Sequence, residues 1–230
     1  MYDSKEAWSV RFYFALRLDV FNHKTGGIEM SAQKTRNTLK GKDLIAIGIF
    51  SAIYFVINFI FMLLGGLHPM MWILMPGLIA LFTGIPFMLM CAKVQKFGAV
   101  LLMGIITGLL YFVTGQFTVL ILITFVIACG LSELVRGLSK YNGFGSNTLA
   151  FALFSLGMTG SPLPIWIMRS SFLSQISAQG MPADYVATLE AISSPAMLIV
   201  LFVAPVVGAM IGALIAKRMF RKHFEKAGIV

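Results

Sequence analysis

The chain has 230 residues, of which 58% are apolar or aromatic and 12% are charged, about half the roughly 25% charged share of soluble domains. That balance excludes a water-soluble globule and asks for lipid as the solvent. A net charge of +9 in such a chain bears on membrane orientation, and no nucleic-acid partner is expected. Cys91 and Cys129 both fall in apolar segments, which leaves no disulfide framework and no paired-cysteine metal site.

In chain order, residues 1–29 stand apart. The apolar stretch from Ala7 to Phe21 is broken by Arg11, Arg17 and Asp19, so it suits neither a bilayer span nor a signal-peptide core. Two expectations stay open. One is an interfacial segment with Trp8, Phe12 and Leu16 among the headgroups. The other is an extension mistaken for coding sequence, because Lys24 to Met30 back-translates to a bacterial ribosome-binding site ahead of a start codon at Met30. The membrane domain is expected over residues 30–230.

A span needs about 20 mainly apolar residues. Six stretches qualify: Leu44 to Leu64, Met70 to Cys91, Gly98 to Val113, Thr118 to Val135, Thr148 to Ile167 and Ala196 to Ala216. Lys34, Arg36, Lys40 and Lys42 precede the first, and Lys93 and Lys96 follow the second. Arg136 and Lys140 follow the fourth, and Lys217, Arg218, Arg221, Lys222 and Lys226 follow the sixth. With six spans all of these share one side and only Arg169 lies opposite. The positive-inside rule then places both termini in the cytoplasm. The expected fold class is an all-α membrane protein of six transmembrane helices with both termini cytoplasmic.

No phosphate loop, zinc-protease pair or hydrolase elbow occurs, so the chain is expected not to be an enzyme and to carry no catalytic residue, cofactor or metal. Glu133 precedes Arg136 by three residues, the spacing of an ordinary helix-surface ion pair. Ion-coupled carriers keep ionisable groups near the midplane; the predicted spans have none there, so uphill transport would draw its energy from another subunit.

Two small-residue stripes are visible. In the first span Gly48 and Ala52 lie four apart on one face, and the sixth carries Gly208, Gly212 and Ala216. Each can seat a neighbouring helix, within the bundle or outside it. Polar and aromatic residues gather at the outer ends: His68 and Trp72, then Gln116, then Trp166 and Arg169. Trp72 and Trp166 also suit interfacial anchors, and Arg169 suits either an anionic ligand or an ion pair with Asp184 or Glu190. Residues 170–195 form the longest outer segment, where Pro182 can open a short helix with Tyr185, Val186, Leu189 and Ile192 along one side, as a lid would have. Met70, Met71, Met75, Met158, Met168 and Met181 suit an apolar pocket or plain packing.

Six spans, a small-residue pair in the first, a long outer segment before the last and no internal energy source make the stretch from Thr38 to Lys226 resemble the substrate-binding S components of energy-coupling-factor (ECF) importers. It looks closest to the bacterial integral membrane proteins of the Trep/Strep type. Those S components carry an AxxxA pair in the first helix; here Gly48 and Ala52 stand in its place, and Ala46 with Phe50 matches less well. The resemblance implies partners: an ECF transmembrane T component meeting Gly48 and Ala52, two ABC ATPases, and a micronutrient held near the outer surface. By that analogy the substrate-binding candidates are His68, Trp72, Gln116, Trp166 and Arg169. An autonomous small-solute permease and an accessory membrane scaffold are the competing readings.

Overall fold

The computed structural model describes residues 38–114 and 118–224, with side chains described through residue 220. The expectations placed on residues 1–29 and on Gln116 lie outside the described residues. Those described are helical, with no strand among them. Four helices are long and apolar enough to cross a membrane: α1 (Gly41–Leu67), α2 (Pro69–Lys93), α4 (Val119–Leu138) and α9 (Pro195–Phe224). Between them lie α3 (Ala99–Val113), α5 (Phe144–Ser155), a 3-10 turn (Leu156–Gly160), α6 (Pro164–Ile167), α7 (Arg169–Ala178) and α8 (Ala183–Ile192).

The sequence reading treats all six stretches alike, and the structure separates them. The third stretch is a helix of 15 residues, about 22 Å at 1.5 Å per residue, short of a hydrocarbon core of about 30 Å. The fifth is not one helix. It runs for 12 residues as α5, tightens into the 3-10 turn and ends in the four-residue α6. The glycines and prolines in Leu156 to Pro164 interrupt the regular ladder there.

α2 is the central element and buries residues along most of its length. His68 caps it, its Nδ1 accepting from the Met70 N–H at 3.1 Å, and Pro69 occupies the first turn where its missing N–H costs nothing. α9 runs parallel to α2 in close backbone contact. A Cβ added at Gly77 would lie 2.8 Å from that of Ala204, one at Gly212 would lie 2.9 Å from the Ala80 carbonyl oxygen, and one at Gly84 would strike the Gly212 backbone. The stripe in the sixth predicted span is therefore internal packing, holding two helices closer than ordinary side chains permit. The core beside them is aromatic: Phe87 meets Phe151 at 4.6 Å and Phe154 at 5.0 Å between ring centroids, and Tyr54 sits edge-on to Phe154 at 5.4 Å.

Two polar staples hold the end of the bundle where α1 begins and α2 finishes. Lys96 Nζ contacts Asp43 Oδ2 at 2.6 Å, joining the α2–α3 loop to the first turn of α1. Glu133 and Arg136 form the second, and they correct the sequence reading. They are not paired with each other. The Glu133 carboxylate accepts from the backbone N–H groups of Gly98 (2.8 Å), Val100 (3.0 Å) and Leu101 (3.3 Å), capping α3. Arg136, fully buried, donates through Nη2 to the Val94 carbonyl at 2.8 Å and through Nε to Asn147 Oδ1 at 3.3 Å. An anion at a helix start and a cation beside a helix end each complement the local dipole. Helical spacing shows which residues share a face, not which neighbouring backbone lies opposite.

Candidate ligand-binding site

At the other end of the bundle the structure holds a cleft of about 720 Å³, within the range of about 300 to 1,000 Å³ usual for small-molecule sites. Its walls come from chain segments far apart in sequence. The end of α1 supplies Met62, Leu63, Gly65 and Gly66; α2 supplies Trp72; the start of α4 supplies Thr118, Val119 and Leu120. Ser161, Pro164 and Met168 close one side. α7 contributes Ser171, Phe172, Gln175 and Ile176, followed by Gln179 at its C-cap, Met181 and, on α8, Tyr185 and Leu189.

The two short helices are anchored over the cleft by a small apolar cluster of its own. Ile73, Ile165 and Leu189 are buried together, with Trp72, Trp166, Phe172 and Tyr185 packed against them. Tyr185 reaches across to α1, its hydroxyl donating to the Gly65 carbonyl at 2.8 Å. Burial pushes that phenol up to about 12, so it stays a neutral donor at any physiological pH. Trp72 stacks on Phe172 with centroids 5.4 Å apart and planes 11° apart, while its Nε1 donates to Ser161 Oγ at 3.3 Å. The short helix that Pro182 was expected to open is α8, with Leu189 inward.

Of the candidates read from sequence, the structure brings Trp72 into the cleft lining and leaves the other described ones outside it. His68 is exposed and occupied as the α2 cap. Trp166 donates from Nε1 to the Ser194 carbonyl at 3.1 Å, tying α6 to the start of α9. Arg169 donates to the Glu190 carbonyl oxygen at 2.7 Å and lies 3.5 Å from the Glu190 carboxylate, the two side chains 48% and 55% exposed. The ion pair expected as one option for Arg169 is therefore present, with Glu190 as the partner. Among the methionines, Met168 and Met181 line the cleft whereas Met75 and Met158 are buried core.

Sequence reasoning missed the α7 residues. The signal was there: Ser171, Gln175 and Gln179 recur every four residues, one polar stripe on a helix, with Phe172 and Ile176 beside it. Nothing local says that this stripe borders a cleft.

The first-helix pair has a different setting. Ala46 is buried, Ala52 is exposed, and a Cβ added at Gly48 would meet nothing within 4 Å. Around them Leu44, Ile45, Ile49, Ile53 and Val56 are exposed, an apolar face that in a membrane meets lipid or another helix.

No curated protein and no solved structure matches the chain. A family described as a hypothetical bacterial integral membrane protein matches residues 41–226, the whole of the helical region described above. The apolar helices, the lipid-suited outer faces and this match together make the chain a bacterial integral membrane protein of the Trep_Strep family.

Proposed function

We propose that this protein is the substrate-binding subunit of an ECF-type importer, capturing a small molecule at the outer face for uptake driven by partner ATPases. The observation that carries the reading is the cleft beneath α7 and α8. It lies at the end of the bundle away from Lys40, Lys42, Lys93, Lys96, Arg136 and Lys140, and the positive-inside rule puts those basic residues in the cytoplasm. In this reading the chain crosses the bilayer six times, with α3 and the interrupted α5 segment as short crossings sheltered by longer helices. Both termini are then cytoplasmic, and the cleft opens outward.

The unpacked face of α1 supports the same reading. Gly48 and Ala52 form a shallow strip on which a coupling helix of a T component can lie closely. In this reading the chain performs no chemistry of its own. It binds cargo, and the work comes from two ABC ATPases acting through the T component.

Co-expression with a T component and an ATPase pair tests the proposal. The expected result is a complex that survives purification in detergent and is lost in Gly48→Leu, with the variant itself still folded. Solute flux through the lone protein in liposomes would favour a permease instead, and a stable complex that carries no small molecule would favour a scaffold.

A further inference from the structure

We infer that the cleft selects an uncharged, flat molecule bearing an amide-like edge, and that Gln175 on α7 and Gln179 at its C-cap read that edge. The inference rests on the proposed role of the cleft as the cargo site and goes further by naming the class of cargo.

Charge is the first argument. Among the described residues that line the cleft there is no Asp, Glu, Lys, Arg or His. Arg169, the cation among the described residues near this end, is already held by the carbonyl and carboxylate of Glu190. An ionised ligand entering a site walled by Met62, Leu63, Val119, Leu120 and Met168 would lose hydration without gaining a counter-charge, a cost that a neutral molecule avoids.

Shape is the second. Trp72 and Phe172 line the cleft as a nearly parallel pair stacked on each other, an aromatic wall that suits a flat ligand. The pair is fixed in place by the Trp72 bond to Ser161 and by the cluster around Ile73 and Leu189, so little ordering is left to be done on binding.

Polarity is the third. Ser171 and Gln175 on α7 and Gln179 at its C-cap follow one another at four-residue spacing, and all three line the cleft. A primary amide offers a donor and an acceptor side by side, the complement of an amide, lactam or ring N–C=O edge. An analogue that cannot return these bonds forfeits their contribution to binding. Tyr185 adds no donor, because its hydroxyl proton is committed to the Gly65 carbonyl.

The test uses the full chain in detergent and two probes of one shape, quinoline-3-carboxamide and quinoline-3-carboxylate, titrated calorimetrically. The carboxamide is expected to bind at least about tenfold more tightly than the carboxylate, a difference of about 1.4 kcal/mol. That preference should vanish in the Gln175→Leu, Gln179→Leu double variant and persist in Arg169→Gln. Gln175 on α7 and Gln179 at its C-cap are exposed, so the double variant is expected to keep its thermal stability, which a melting curve checks. Equal binding of both probes, a preference for the carboxylate, or binding of neither would overturn the inference. The importer reading fails separately: if the carboxamide binds as expected but no complex forms with a T component and ATPases, the cargo class stands and the transport role falls.

Discussion

Replacing Glu133 by alanine removes the acceptor for three backbone donors at the start of α3. The Val100 N–H is buried, while those of Gly98 and Leu101 are partly buried. A buried donor left without a partner costs about 1 to 3 kcal/mol, and partly buried ones cost less because water reaches them. Loss of a carboxylate from a helix N-terminus adds about 0.5 to 1 kcal/mol. The expected total is about 4 kcal/mol, or about 10 °C in melting temperature for a chain of this size. Glu133→Gln keeps an acceptor oxygen and should lose about half as much. An exposed ion pair with Arg136, by contrast, would be worth only about 0.5 kcal/mol. The two accounts differ by nearly tenfold in energy. A temperature ramp on purified protein, read by size-exclusion chromatography, separates them. A shift below about 2 °C for Glu133→Ala would refute the cap, since a change that small corresponds to about 0.5 to 1 kcal/mol.

Other consequences follow from the same contacts. Gly212→Leu drives a side chain into the α2 backbone near Ala80 and should cost about 3 kcal/mol or more, seen as lost monodisperse expression. Gly48→Leu enters open space and should stay within about 0.5 kcal/mol of the parent, so that any lost partner binding reflects the surface rather than the fold; a collapse like that of Gly212→Leu would contradict this. Tyr185→Phe removes the bond to Gly65 and should cost about 1 kcal/mol. It should also speed amide hydrogen exchange in α8, and unchanged exchange there would show that the bond does not hold the lid.

Much of the architecture was legible without coordinates because it depends on local composition. A run of apolar residues long enough for a bilayer must be helical to satisfy its backbone, which is why the predicted spans from Leu44, Met70, Thr118 and Ala196 fall on α1, α2, α4 and α9. The segment from Thr148 to Ile167 looked equally apolar, yet its glycines and prolines end regular helix at Ser155. The candidate site was less legible. Trp72 was found from its place beside a span end, but His68, Trp166 and Arg169 share that place and are spent on a cap, a tie to α9 and an ion pair.

What the amino-acid order determined alone is the membrane class, the long helices and the clustering of basic residues at particular helix ends, all properties of contiguous segments. Tertiary structure decided everything that depends on opposite partners. It made Gly208 and Gly212 internal and left Gly48 open, though the two stripes read alike. It turned Glu133 and Arg136 away from each other and toward backbone groups of α3 and the loop before it. It also aimed the Ser171, Gln175 and Gln179 stripe at a cleft whose other walls lie up to 117 residues away, counting from Met62 to Gln179. Helical periodicity states which side chains point together, and only the packing of one helix against another states what they point at.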